Sequence, residues 1–297
     1  MAPKRSGVAT RGIGFELERL RKAARMTLQQ VADQLGVSIS TISRLENGKR
    51  EATSEEVASI LAIIGVTGDI RERLLSQARG GNGHGLLVAP LSAQSRTYWD
   101  FEQRASEIIN FEPLLVPGLA QTADYSRAVI SALQFLESES EIESRVANRL
   151  ARQALLTRRH PPKLRLIMNE AALRQPIGGP DVMARQIRHL IELAERPGIA
   201  VHIIRRDVVT HPGLSGSFVI MTFADSPTMA YVESRTSGMF LDDPAAVHFH
   251  QQTADRMLTV SLDTAGSVDL MRSIAEGSRD DPGQRHGSVA QEQPQCG

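Results

Sequence analysis

TLQQVADQLGVSISTISRLENG, from Thr27 to Gly48, is the stretch on which the reading of the fold turns. It spells a helix, a tight turn and a second helix. Thr27 is placed to cap the first, and Gln30 three residues on completes a capping box. Leu28, Val31, Ala32 and Leu35 recur at i, i+3, i+4 and i+7, the stripe of a helix with one buried side. Ala32 is small where a second helix must cross, and Gly36 tolerates the left-handed backbone of the turn. Ser38 caps the next helix, which buries Ile42 and Leu45 and stops at Asn47-Gly48. Its outer face is left with Ile39, Ser40, Ser43 and Arg44.

That outer face has the chemistry of a base reader. An arginine can donate two parallel hydrogen bonds to guanine O6 and N7, serines can bond bases or phosphates, and an isoleucine can pack on a thymine methyl. Asn47, Lys49 and Arg50 follow directly, where phosphate contacts set the register of a protein on DNA. A helical module that only docked on other proteins would carry acidic or bulky apolar residues there instead. Double-stranded DNA is therefore the expected partner.

Outward from this unit, Ile13, Leu17, Leu20 and Ala24 mark a preceding helix. Thr53 with Glu56 opens a following one through Val57, Ile60, Leu61 and Ile64, and Asp69 with Glu72 a fifth, carrying Ile70, Leu74 and Ala78. The expected organisation is a flexible tail (1–11), an all-α domain of five helices (12–79), a Gly-rich linker (80–90), an α+β domain (91–277) and a disordered, apolar-poor tail (278–297). In the α+β domain, helices are predicted near Tyr98–Ile109, Thr122–Phe135, Glu139–Arg158, Pro180–Glu195, Pro244–Leu258 and Gly266–Glu276. Strands are predicted at Leu164–Met168, Ile199–Ile204, Ser217–Phe223 and Met229–Glu233.

Net charge is zero over 297 residues, but its distribution is uneven. Residues 1–80 hold 13 Lys or Arg against 9 Asp or Glu, so the front of the chain is net +4 and the rest net −4. A basic front joined to an acidic remainder suits a DNA-binding domain beside one that does not touch DNA. No apolar run reaches the roughly 20 residues of a membrane helix, and no apolar segment follows the basic N-terminus, so a cytoplasmic protein is expected. The one cysteine, Cys296, excludes a disulfide framework and a cysteine-based metal finger.

Residues 13–65, above all ADQLGVSISTISRLENGKR, resemble the lambda-repressor-like, xenobiotic-response-element class of helix-turn-helix regulators. The resemblance implies a third helix in the major groove and a homodimer reading an inverted repeat. It implies base contacts from Ile39, Ser40, Ser43 and Arg44, and phosphate contacts from Gln29, Asn47 and Arg50. Leu28 stands where many relatives place a phosphate-binding glutamine, with Gln29 beside it to take that role. EPLLVPGLAQTADYSRAV, LRLIMNEAALRQPIGGPDVMARQIRHL and AYVESRTSGMFLDDPAAV resemble the domain that follows the helix-turn-helix in streptomycete developmental and antitoxin-like regulators. That resemblance implies a sensing or partner-binding role. It leaves two alternatives to a simple regulator: sequestration of a small acidic partner protein encoded nearby, or one-component sensing of a small molecule.

No enzyme, cofactor or metal site is expected. His202, His211, His248 and His250 lack an accompanying acidic or thiol cluster at a recognised spacing, and residues two apart on a helix face away from each other. Ser215 and Ser217 flank Gly216 without a nucleophile elbow, and PIGGP (Pro176–Pro180) lacks the Lys-Ser/Thr of a phosphate loop. Arg145, Arg149 and Arg152 share a helical face that could hold an anion, although a solvated face with a Glu141–Arg145 pair is the favoured account. Glu170, Arg174 and Glu233 could line a cleft or form structural ion pairs, and Thr97–Phe101, with Tyr98 and Trp99, is a candidate for the join between domains.

Overall fold

The N-terminal helices form where the capping residues place them. The computed structural model describes residues 7–80, 87–235 and 237–277. Its first five helices are α1 (Val8–Ala23), α2 (Leu28–Leu35), α3 (Ile39–Glu46), α4 (Ser54–Ile63) and α5 (Gly68–Gly80). Thr27 with Gln30 and Thr53 with Glu56 each make the reciprocal capping box, which satisfies two backbone N–H groups that a helix start leaves open. Gly36 ends α2 at φ 70°. Leu17, Val31, Ala32, Ile42, Leu45 and Leu61 meet in one dry core.

Three details differ from the expectation. α1 starts at Val8, inside the expected tail, because Val8 and Phe15 are buried in the core of the second domain. Ala24, expected on the buried stripe, follows the end of α1 and is exposed. Ile70 is 37% exposed, since α5 reaches the core through Leu74 and, partly, Ala78.

The expected linker is also divided. Gly80 closes α5, and Leu87–Pro90 form a strand, β1. Residues 81–86 and the expected disordered tail lie outside the described residues. Then come α6 (Leu91–Arg104), β2 (Glu107–Glu112), α7 (Ala123–Leu133), α8 (Glu139–Arg152) and β3 (Lys163–Asn169). They are followed by α9 (Ala171–Arg174), α10 (Pro180–Ala194), β4 (Ile199–Ile204), β5 (Phe218–Thr222), β6 (Met229–Glu233), β7 (Ser237–Leu241), α11 (Pro244–Val260) and α12 (Thr264–Gly277). The helix expected over Tyr98–Ile109 is thus α6 ending at Arg104, and then β2. Ile108 faces one core and Phe111 another, so the strand is apolar on both sides and lacks a clean alternation.

The strands make one mixed sheet in the order β1-β7-β6-β5-β2-β3-β4. β2, β3 and β4 are parallel, and the helices between them cross over. β5 returns antiparallel on the other side of β2, and β6, β7 and β1 continue antiparallel. Residues of α6, α7, α10 and α12 pack on one face of the sheet, and Ala254 and Met257 of α11 on the other. The outer edge of β4 is closed by α12 and the segment before it: Ile203 N–H donates to Ser267 Oγ at 3.0 Å, and Leu262 N–H to Ile203 O at 2.9 Å.

Gly14 sets the approach of α1 to α3. A Cβ there would lie 2.3 Å from Leu45 O and 2.8 Å from Glu46 O, both backbone atoms. Gly14→Ala is expected to destabilise the N-terminal domain by roughly 1–3 kcal/mol, read as a lower denaturant midpoint. An unchanged midpoint would mean the two helices can separate at no cost.

Candidate nucleic-acid interface

α3 is presented to solvent by what holds its other side. Ile42 and Leu45 are buried, and Glu46 turns inward to meet Arg21 of α1. That pair is bidentate, Arg21 Nε to Glu46 Oε1 at 2.6 Å and Nη2 to Oε2 at 2.7 Å, with Nη1 donating to Met26 O. A buried, fully hydrogen-bonded pair of this kind penalises any rotation that separates its members.

The opposite face carries the residues expected to read bases. Ile39 is 43% exposed, Ser40 and Arg44 are exposed, and Ser43 is half-buried. The Arg44 side chain has no hydrogen-bond or ion-pair partner among the described residues. Asn47 Nδ2 donates to Ser43 O at 2.8 Å, which holds Asn47 against the helix end. Lys49 and Arg50 follow as the chain turns back, both N–H groups donating to Arg44 O. Arg50 donates to Glu56 Oε1 at 2.7 Å, and Gln29 to Asp33 Oδ1 at 2.6 Å. These two expected phosphate binders are thus already held by acidic neighbours. Lys49 Nζ lies 3.5 Å from Asp225 of the second domain, an exposed pair of small energy.

The contact between domains centres on α1. The N-cap residue Gly7 has no side chain to bond the helix start, and Asp242, just beyond β7, accepts from Val8 N–H in its place. Arg11 is buried with its guanidinium 5.2 Å from the Phe101 ring and 5.0 Å from Phe223. It donates to Pro227 O at 3.1 Å, while Nε and Nη2 find no hydrogen-bond partner among the described residues. Burial lowers its pKa to about 10, and Asp242 opposes the fall. Phe15 meets Phe101 edge-on at 5.2 Å, and Arg104 stacks 3.8 Å from the Phe15 ring while bonding Glu18. Gly48, two residues past α3, packs on α1: a Cβ there would fall 2.7 Å from Arg11 Cα. Of the aromatic stretch singled out in the sequence, Phe101 makes the join and Tyr98 faces away from it, onto Tyr231. Nothing in the sequence distinguished Arg11 from its solvated neighbours.

The arginine stripe of α8 is not a solvated face. Arg145 pairs with Glu137, not with Glu141 as the spacing suggested. Arg152 makes a bidentate bond, 2.8 Å on each arm, to the fully buried Glu102. Half-buried Arg149 donates to Gln121 Oε1 at 2.7 Å. Glu170 and Arg174 form a structural ion pair at 2.6 Å, and Glu233 stands apart from it. Three of the four candidate histidines are engaged locally: Nδ1 of His202 contacts Leu262 O, Nδ1 of His250 contacts Ala246 O, and Nδ1 of His211 accepts from Gly213 N–H. His248 lines a cleft of about 400 Å³ that runs beside α11 across the sheet, and the charged pair Glu107–Arg165 of this cleft is closed at 3.5 Å.

Two short capped helices crossing over a small residue, with a polar face free on the second, define a helix-turn-helix domain. A helix-turn-helix domain model matches residues 13–74, and a model described as a domain of unknown function (DUF5753) matches residues 95–273. The chain belongs to the DUF5753 family. It is 41% identical over 54 residues to the uncharacterized HTH-type transcriptional regulator RghRB of Bacillus subtilis, a match spanning 17% of this chain and 39% of that protein. The solved clp gene regulator ClgR from C. glutamicum is 28% identical over 25% of this chain and 94% of its own, with a TM-score of 0.21.

One carboxyl beside the arginine stripe titrates far from its ordinary range. Burial pushes Glu112 up to about 8, with Glu233 adding to the rise and Arg149 opposing it. An unfolded chain releases this proton near 4.5, so the native state binds more protons between about pH 4.5 and 8, and stability falls across that window. Glu112→Gln is expected to remove this component. Melting temperatures of the variant should gain on wild type as pH rises, and a constant difference would show that the carboxyl does not contribute.

Proposed function

We propose that this protein is a sequence-specific, DNA-binding transcriptional regulator that binds as a homodimer to an inverted repeat, with α3 in the major groove. The observation that carries the reading is Arg44, exposed and unpartnered on α3 beside Ser40 and Ser43. Eight residues of helix reach only a few base pairs, and a second copy supplies the rest of an operator. Ile39, Ser40, Ser43 and Arg44 read bases in this account. Gln29, Asn47, Lys49 and Arg50 hold phosphates, with Gln29 and Arg50 exchanging their acidic neighbours for the backbone.

Arg44→Ala is expected to cost roughly 1–3 kcal/mol and to relax preference at one position of each half-site. Arg50→Ala should weaken all sequences alike and flatten the dependence on salt. A binding selection on genomic fragments with wild type and both variants reads the two effects. Recovery of the same repeat at the same affinity by Arg44→Ala would sink the assignment of the reading face.

The second domain gates this activity, in our reading, through α1. Arg11 and Phe15 are held by the second domain, while Gly14 and Gly48 seat α1 against the C-terminal end of α3 and the turn after it, which supports coupling of α3 to α1. Asp242→Ala removes the bond at the start of α1 and the counter-charge of Arg11. Its DNA affinity should differ at least threefold from wild type by fluorescence anisotropy. Equal affinity, with the domain contact shown to be loosened by limited proteolysis, would argue against gating.

A further inference from the structure

On the helix-covered face of the sheet, β2 and β6 flank β5 and point matching side chains the same way. Asn110 is opposite Val219, and Val219 opposite Tyr231, so Glu112 and Glu233 lie one step further along the same face. Both glutamates end parallel-running strands, at the carboxyl edge of the sheet where open α/β folds take ligands. The two strands are separated by one other, a gap of roughly 10 Å. α8 brings Arg149 and Arg152 to this edge.

The two arginines are used differently. Arg152 is closed, bidentate with Glu102 and stacked 4.9 Å from the Tyr98 ring. Arg149 is anchored by one nitrogen to Gln121, whose own amide is oriented by donating to Val116 O at 2.7 Å. Glu112 and Glu233 lie close enough to bias Arg149 electrostatically, yet neither comes within 4.0 Å of it to form an ion pair. Asn110 lies two residues before Glu112 on the same face of β2, is only 6% exposed, and its Oδ1 accepts no hydrogen bond among the described residues. A buried amide oxygen without a donor is uncommon in a native protein and calls for one.

This cluster therefore brings together an arginine engaged by one nitrogen only, two carboxyl groups within its electrostatic reach, and a buried acceptor without a donor. Arginine forks match carboxylates in geometry and charge. Ionising both carboxyls against one guanidinium would leave an excess negative charge, which an ammonium offsets. We propose that this cluster binds a small zwitterion of amino-acid size, its carboxylate on Arg149, its ammonium between Glu112 and Glu233, and one N–H on Asn110 Oδ1. Glu233 is the exposed member of the cluster. The raised titration of Glu112 agrees with a site that lacks its cation.

One helix connects this cluster to the helix-turn-helix domain. Tyr98 and Glu102 of α6 hold Arg152, one turn from Arg149, and Phe101 and Arg104 of the same helix meet Arg11 and Phe15 of α1. The effect of a ligand on DNA rests on the gating proposed above, whereas the site itself does not.

The test is calorimetric titration of the full chain with each standard amino acid, and with butylamine and acetate as half-probes. At least one amino acid should bind ten times more tightly than either half-probe. Arg149→Gln should weaken it at least tenfold, and Glu112→Gln and Asn110→Leu should also weaken it, each variant first shown to be folded by its melting curve. Arg149→Lys, which keeps the charge and loses the fork, should retain part of the affinity. Absence of binding by all amino acids would overturn the proposal, as would binding that survives both Arg149→Gln and Glu112→Gln. Butylamine binding as tightly as any amino acid would remove the carboxylate subsite and overturn it too. DNA affinity measured with the bound amino acid separates the two ideas: binding without a change in DNA affinity keeps the site and sinks the gating.

Discussion

The structure depends on a helix that belongs to two cores. α1 gives Leu17 and Gly14 to the helix-turn-helix and Val8, Arg11 and Phe15 to the second domain. The cost is concentrated in Arg11, whose guanidinium leaves water for two aromatic rings and one carbonyl. Ring faces attract a guanidinium but do not replace all of its hydrogen bonds. Asp242 lies nearby and also completes the start of the helix. The two domains meet through a charge that is only partly compensated. Such a contact holds one arrangement without the depth of a fully apolar interface.

This has a consequence for α3. Gly14 admits its backbone and Gly48 admits Arg11, so no flexible side chain lies between the two helices at these points. Packed cores shift between discrete arrangements and do not deform smoothly. In the proposed gating, a displacement of α1 would reach α3 through this packed contact, and Lys49 pairs across the same boundary with Asp225.

Charge balance in the second domain follows a similar pattern. Arg152 and Glu102 neutralise one another in a buried, bidentate contact that positions α8 over α6. Arg149, one turn earlier, faces two carboxylates without closing on either. The same stripe of arginines thus contains a finished structural pair and an open one. Only the distances tell them apart.

Much of this molecule was legible from residue order. Thr27, Gly36, Ser38 and Thr53 act within three or four residues, so their caps and turn follow from local geometry and appear as read. β4 and β6 begin and end where their apolar runs do. β2 was hidden because both its faces are buried, and β1 because a four-residue edge strand gains its bonds from β7, some 150 residues away. The solvent-facing side of α3 was likewise readable, since burying Ile42 and Leu45 leaves one face for the rest. The sequence by itself determined the helix-turn-helix and the residues it shows to solvent, because capping and helical periodicity act over short range. Tertiary structure alone decided that Arg11 is buried, that Arg145 pairs with Glu137 and not Glu141, and that Glu112 and Glu233 on one sheet face come within electrostatic reach of Arg149. The partners of a long charged side chain are chosen by desolvation and by strands and helices distant in the chain, and spacing along the sequence records neither.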